Sequence, residues 1–237
     1  MAQRGIVKKS GHGYRPHRPV SRTTLIRRAR RLSVLLPERA RIADEARHLP
    51  DTTRKDLRAL GLARILQPSC YGGSEAHLSG MVDILNIVGA ACGSTAWCLA
   101  QYIGHNFMMA QWPKRAQDEV WGADPRALIS GILIPLRGRT KKVRGGYKVS
   151  GTFPFVSGVM SCDWCLFAAM DDKAASADLR ERYFVLPRSG FDVIDTWDAI
   201  GLRGSGSHDV RLESTFVPSH MTLPLRHLKG GDRSPGR

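Results

Sequence analysis

Two kinds of residue periodicity share this chain, and they meet at Pro125. Before it, apolar residues recur at helical spacing and stop at Gly and Pro. After it come short β-branched and aromatic runs separated by turn residues. The fold class expected is therefore α+β: an all-helical domain over residues 34–124, then a β domain over 125–223.

Within the first half, Pro37 opens a helix over PERARIADEARHL. Asp51 is expected to cap a second, with Leu57 and Leu60 on one face and Gly61 as its stop. Further helices are expected at about 78–91, 94–110 and 114–121. No Asp, Glu, Lys or Arg occurs from Ile84 to Pro113. That length would suffice for a membrane span. However, Cys92-Gly93-Ser94-Thr95 breaks the run, and Asn86, Gln101, His105, Asn106 and Gln111 interrupt it. Two buried helices, the second capped by Ser94 or Thr95, fit better than a membrane segment.

In the second half, the strand candidates are ALISGILIPL, GGYKVSGTFPFVSG, DWCLFAAM, RYFVLP, FDVIDTW and DVRLESTFVP. Gly145-Gly146 marks a hairpin. Residues 1–33 hold ten basic residues and no acid, and show no hydrophobic period. They read as a basic disordered arm, whether a solvated tail, a transit-peptide-like segment or the product of a start codon placed too far upstream. Without them the net charge of +15 falls to +5. A nucleic-acid surface is therefore not expected. Residues 224–237 read as a second loose tail.

Cys162 and Cys165 form a lone C-x-x-C with no second pair and no nearby His. Two small buried residues on a strand are expected there, and no metal. The chain has no GxSxG elbow, P-loop, HExxH or paired catalytic carboxylates.

Three segments remain as candidates for chemistry. On the helix STAWCLAQYIGHNFMMAQW, Trp97 and His105 are eight residues apart and share a face, with Gln101 between them. An aromatic plate beside an imidazole can line a pocket for a flat ligand; a core helix with one hydrogen-bonded His is the alternative. SGTFPFVSGV carries Pro and two Gly in a strand context, so a bend exposing Ser157 competes with a plain bulge or barrel corner. GLRGSGSHDV could cradle a phosphate, or be a connecting loop in which Arg203 pairs locally.

Taken in order, LRALGLARILQPSCYGG, ACGSTAW with the downstream GHN, YKVSGTFPFVSG, and TWDAIGLRGSGSHDV ending in FVPSH resemble the acyl-CoA dehydrogenase superfamily. Within it they are most similar to the flavin-dependent aromatic hydroxylases, the oxygenase components of two-component monooxygenases. The resemblance covers roughly residues 34–223. It implies a helical N-terminal domain and a β-barrel-like middle domain. Members continue into a C-terminal four-helix bundle that forms the oligomer core and supplies much of the flavin site. Here that bundle is expected to be missing, since the chain stops soon after FVPSH.

The resemblance also implies roles. Trp97 would stand beside flavin and substrate. His105 would contact a substrate phenol and help deprotonate it, for which an imidazole titrating near neutrality is suited. Ser130, Gly131 and Ile132 would border the flavin. Phe155, Val156 and Ser157 would run along its ring system, with Ser157 bonding the central-ring nitrogen of reduced flavin. The family often has Trp where Phe155 stands. The implied partners are reduced flavin (FMN or FAD), a separate flavin reductase and a small aromatic substrate, in the cytoplasm. A dehydrogenase oxidising an acyl-CoA with FAD shares the fold and is the alternative activity; a non-catalytic remnant is the other.

Overall fold

The structure is a computed structural model. It describes residues 20–135, 138–171, 173, 174, 176, 179–228 and 236. Among them are six α-helices: α1 (Arg22–Ser33), α2 (Leu36–Ala46), α3 (Asp51–Leu60), α4 (Leu78–Ala91), α5 (Gly93–Met109) and α6 (Lys114–Trp121). Eight strands follow: β1 (Ile129–Ile132), β2 (Gly138–Val143), β3 (Gly146–Val156), β4 (Trp164–Met170), β5 (Glu181–Pro187), β6 (Asp192–Ile194), β7 (His208–Pro218) and β8 (Thr222–Pro224). They form one mixed sheet in the order β6-β7-β3-β2-β4-β5-β8, with β1 parallel to β4. No helix among the described residues is long and apolar enough to cross a membrane.

The stretch read as a pattern-free arm is in part a helix. Residues 1–19 lie outside the described residues, but α1 starts at 22 with Ser21 as its cap, its hydroxyl accepting the Thr24 N–H at 3.3 Å. Leu25, Ala29 and Leu32 recur at helical spacing and are fully buried, in a helix packed on α4. The dense arginines hide that stripe in the sequence. Two of them, Arg30 and Arg31, fall in the last turn, where they complement the helix dipole. The C-terminal reading is corrected too. Pro224 ends β8, paired with β5, and Leu225–His227 form a 3-10 turn. Leu225 and Leu228 pack on the core.

Other boundaries hold with different caps. Pro50, not Asp51, precedes α3, and Gly61 ends it at φ 67°. Cys92, not Ser94 or Thr95, caps α5: its thiol accepts the Thr95 N–H at 3.5 Å. Gly145 turns the β2–β3 hairpin at φ 82°.

The helical and β halves are joined by polar clamps. Arg58 on α3 bonds Asp124 at 3.1 Å and also Asp163. Asp163 in turn accepts the Leu128 N–H at 2.7 Å, so the chain entering β1 is fixed from both sides. In the loop before β7, Gly204 lies against α2, where a Cβ would come within 2.7 Å of that of Ala43.

Candidate functional site

Helix α5 is laced to the β half by side chains along its length. Trp97 donates its indole N–H to Ser157 Oγ at 2.8 Å. Cys98 donates to the Ser205 carbonyl at 3.4 Å, and Tyr102 to the Gly158 carbonyl at 2.8 Å. His105 Nδ1 meets the Ile129 carbonyl at 3.2 Å. Trp97 and His105 therefore share the face that their spacing suggested, and that face looks onto β1 and the end of β3.

Strand β1 is the spine that relates these groups. Ile129 holds the imidazole, and the next residue, Ser130, donates its hydroxyl to the Ser157 carbonyl at 2.6 Å. Gly131 lies under the His105 ring: a Cβ there would sit 3.0 Å from both Cε1 and Nε2. A carbonyl only accepts, so Nδ1 carries the ring proton. Nε2 is left with its lone pair and with no hydrogen-bond partner among the described residues. His105 is 3% exposed, and burial pushes its pKa down to about 4, opposed by the Ile129 carbonyl. The near-neutral titration expected of this imidazole is thus not what the structure gives: at neutral pH it is an uncharged acceptor.

Ser157 is 7% exposed and heads a chain of hydroxyls: its Oγ lies 2.8 Å from Ser207 Oγ, which lies 2.7 Å from Ser205 Oγ. A hydroxyl accepts twice and donates once. When Ser157 accepts from Trp97 and from Ser207, its own proton is free for a ligand atom. The bend before Ser157 is a β-bulge. Between Phe153 and Val156 the register against β7 shifts, and Phe155 takes φ 61°, its N–H donating to Asp209 at 3.3 Å. The bulge reading of SGTFPFVSGV is the one observed; the expected exposure of Ser157 is corrected, because its hydroxyl turns inward to Trp97 and Ser207 and the bulge exposes Phe155 instead. Gly158 follows at φ 71°, and a Cβ there would overlap the Tyr102 hydroxyl.

The bulge leaves Phe155 62% exposed, its ring edge-on to Trp197 at 6.1 Å, while Trp97 is 47% exposed. Val156 is fully buried, so only its backbone can border a ligand, and the Ser130 hydroxyl is spent on Ser157. Ile132 is also buried. Beside Trp97 an apolar cavity of about 360 Å³ runs along Leu85, Ala96, Ala100 and Leu202.

Ser205, Ser207, Tyr102 and Trp197 were not picked out from the sequence as site residues. The first two stand in GLRGSGSHDV, whose sequence suggests a phosphate cradle or a connecting loop with Arg203 pairing locally. There the Ser205 and Gly206 N–H groups are spent on Leu202 and Arg203 carbonyls, and Arg203 pairs with Asp198. The connecting-loop alternative is the one observed. Cys162 and Cys165 are both buried, and burial raises both thiols, Cys162 to about 12. Cys165 lies on β4 and Cys162 just before it. Among the described residues no group of three or more His, Cys, Asp or Glu could hold a metal ion.

No family model matches the chain. It is 34% identical over 218 residues to a pigment production hydroxylase from a Rhodococcus species, covering 92% of this chain and 56% of that protein. It is 30% identical over 226 residues to the oxygenase component of an FADH(2)-dependent resorcinol hydroxylase from a Rhizobium species, covering 95% and 55%. Among solved structures, the HsaA monooxygenase from M. tuberculosis superposes with a TM-score of 0.85 at 30% identity, covering 92% and 56%. The 3-HSA hydroxylase from Rhodococcus sp. RHA1 gives 0.82 at 32%, covering 90% and 54%. The chain spans about half the length of the curated relatives it matches. Over that half, in sequence and in fold, it is similar to the oxygenase components of flavin-dependent monooxygenases, proteins of acyl-CoA-dehydrogenase-like fold.

Proposed function

We propose that this chain contributes the flavin-facing and substrate-facing surfaces of an oxygenase that hydroxylates a phenolic ring, using reduced flavin made by a separate reductase. The observation that carries the proposal is the pairing of two groups on one spine. His105, a buried residue, holds Ile129 through Nδ1 and makes no hydrogen bond through Nε2 among the described residues, and the Ser157 hydroxyl stands beside the half-exposed Trp97 ring. The chemistry of these residues fits a flavin: Trp97 and Phe155 offer apolar surface to a flat heterocycle, and Ser157 offers a proton donor. The names of the relatives, with a resorcinol hydroxylase and a p-hydroxyphenylacetate 3-hydroxylase among them, support the substrate class.

Reduced flavin, when bound, supplies the activation of oxygen; the protein supplies binding, orientation and exclusion of water. His105 Nε2 accepts the phenol proton. Left alone its pKa of about 4 makes it a weak base. A phenolate formed beside it favours the imidazolium and raises that value. The shared proton makes the ring electron-rich towards an electrophilic oxygen. Ser157 holds one edge of the flavin, and Ser205 and Ser207 fix the direction of its hydroxyl. The same geometry does not suit an acyl-CoA dehydrogenase reading, which gives the unpartnered His105 Nε2 no task.

The test is anaerobic titration with reduced FMN and FAD, followed by addition of oxygen and a phenol in the presence of a flavin reductase. Saturable binding of reduced flavin, weakened by Trp97→Ala, and a hydroxylated product that His105→Ala suppresses are expected. Absence of reduced-flavin binding, or product formation indifferent to His105, would overturn the proposal.

A further inference from the structure

Helix α5 carries a third polar side chain on the face that Trp97 and His105 share, and the chemistry above gives it no task. Gln101 stands four residues from each of them. A step of four residues turns an α-helix by about 40° beyond a full turn and advances it by about 6 Å. Gln101 therefore lies midway between Trp97 and His105, both around the helix and along it. The order on this face is indole, carboxamide, imidazole.

The polar groups around it are spent inside the protein. Asn106 donates to the Ala63 carbonyl at 3.3 Å and to the Tyr102 carbonyl at 2.9 Å, and accepts the Trp121 indole N–H at 3.0 Å. Tyr102 donates to the Gly158 carbonyl at 2.8 Å. Across from α5, the Ser130 hydroxyl is held by the Ser157 carbonyl at 2.6 Å. Gln101 differs from all three. It is half-buried, yet its carboxamide makes no hydrogen bond among the described residues. Neither its oxygen nor its nitrogen is sealed in the interior, so both can be reached by a ligand.

A carboxamide offers two donors and an acceptor, so it can meet a hydroxyl or a carbonyl. Water satisfies it while the site is empty. A ligand that covers this face removes the water, and an amide then left facing carbon is costly. The ligand that fits best is one that brings its own polar group to this point.

We infer that Gln101 is a specificity-determining residue: it hydrogen-bonds a second oxygen on the substrate ring, so that the site prefers dihydric phenols to phenols carrying a methyl group in that place. This rests on the proposed function, which puts a phenol at His105 Nε2. The two side chains are offset by about 6 Å along the axis, a span that one substituted ring bridges. An oxygen ortho to the bound hydroxyl stays beside the imidazole; one in the meta or para position reaches the carboxamide. A site with a hydrogen-bonding group aimed at a substrate hydroxyl rejects the analogue that lacks it.

The experiment is titration of the chain with resorcinol, hydroquinone and catechol, and with 3-methylphenol and 4-methylphenol as comparisons. Nitrogen-15 NMR follows the His105 imidazole and the Gln101 side-chain amide. Every phenol is expected to move His105 Nε2. Resorcinol or hydroquinone should also move the Gln101 amide and bind more tightly than its methyl counterpart, whereas catechol should leave that amide in place. Gln101→Met keeps side-chain length and helix propensity. Losing one neutral hydrogen bond should lower the ratio of dihydric to methyl affinity by roughly 2- to 10-fold. A folding defect weakens both ligands alike and leaves that ratio unchanged. Phenols that leave His105 unmoved would overturn the proposed function and this inference with it. Phenols that move His105 but show no dihydric preference, a preference that survives Gln101→Met, or an amide that answers catechol or the methylphenols equally, would overturn the inference about Gln101 alone.

Discussion

Replacing Gly131 by Ala tests whether β1 is the seat of the His105 ring. The added methyl would lie 3.0 Å from His105 Cε1, His105 Nε2 and Leu166 Cβ. Ordinary carbon contacts stand at about 3.5–4.0 Å, so each neighbour must retreat by roughly half an ångström or more. Leu166 cannot do so freely, because it is the ladder partner of Gly131 between β1 and β4. The imidazole can yield only by loosening its 3.2 Å bond to Ile129. Overpacking of this kind costs about 1–3 kcal/mol. In a chain of this size that is a fall of roughly 2–12 °C in Tm. Phenol binding should weaken with it, because Nε2 moves. Gly104, on α5 beside His105, is the control: a Cβ there meets nothing within 4 Å. Gly104→Ala should be neutral or stabilising by up to about 1 kcal/mol, as expected in a helix interior. Thermal unfolding by circular dichroism reads both variants. Equal stability of Gly131→Ala and the parent, with phenol binding intact, would refute the placement of His105 on β1.

Three further outcomes follow from the same geometry. Stability should fall as pH drops from about 6.5 towards 4, because the unfolded chain protonates His105 where the folded one does not. The full loss from this residue is about 3 kcal/mol, and urea unfolding across that range should show a shallower slope in His105→Phe than in the parent, with His208, whose pKa burial also lowers, contributing in both. Leu25→Ala should cost about 2–5 kcal/mol, as expected for a fully buried side chain; a change below 0.5 kcal/mol in urea unfolding would leave α1 a mere appendage. Ser157→Ala removes the acceptor for Trp97 and one link to Ser207. It should lower stability by only about 0.5–1.5 kcal/mol. It should also divert oxygen from product into released hydrogen peroxide, read as product formed per oxygen consumed; unchanged coupling would remove Ser157 from the site.

The sequence and the structure agree where local signals are strong. Helices α4, α5 and α6 fall within one residue of their expected limits, because helix-forming runs end there at Gly, Pro or a polar cap. Disagreement arises where a signal is masked or non-local. The stripe of Leu25, Ala29 and Leu32 is diluted by arginines, of which Arg22, Arg27, Arg30 and Arg31 are exposed. A thiol cap at Cys92 is too weak an acceptor to stand out beside Ser94 and Thr95. Trp97, Ser130 and Gly131 could be named from a motif resemblance, but the bonds that bring them to one place span tens of residues. Ser207 was invisible for the same reason: it meets Ser157 only across the β3–β7 pair. The depressed pKa of His105 depends wholly on burial between α5 and β1, and no local pattern encodes that.

The central claim is that His105 waits as a neutral acceptor whose Nε2 faces a phenol. Nitrogen-15 NMR of the His105 side chain, recorded from pH 7 to pH 5 with and without a substituted phenol, tests it most directly. The account predicts a proton on Nδ1 and a bare Nε2 throughout that range in the free chain, since the pKa lies at about 4. It further predicts that a phenol moves the Nε2 resonance towards the protonated position while leaving His208 unchanged. A His105 ring that titrates near 6.5, that carries its proton on Nε2, or that ignores the phenol would contradict it.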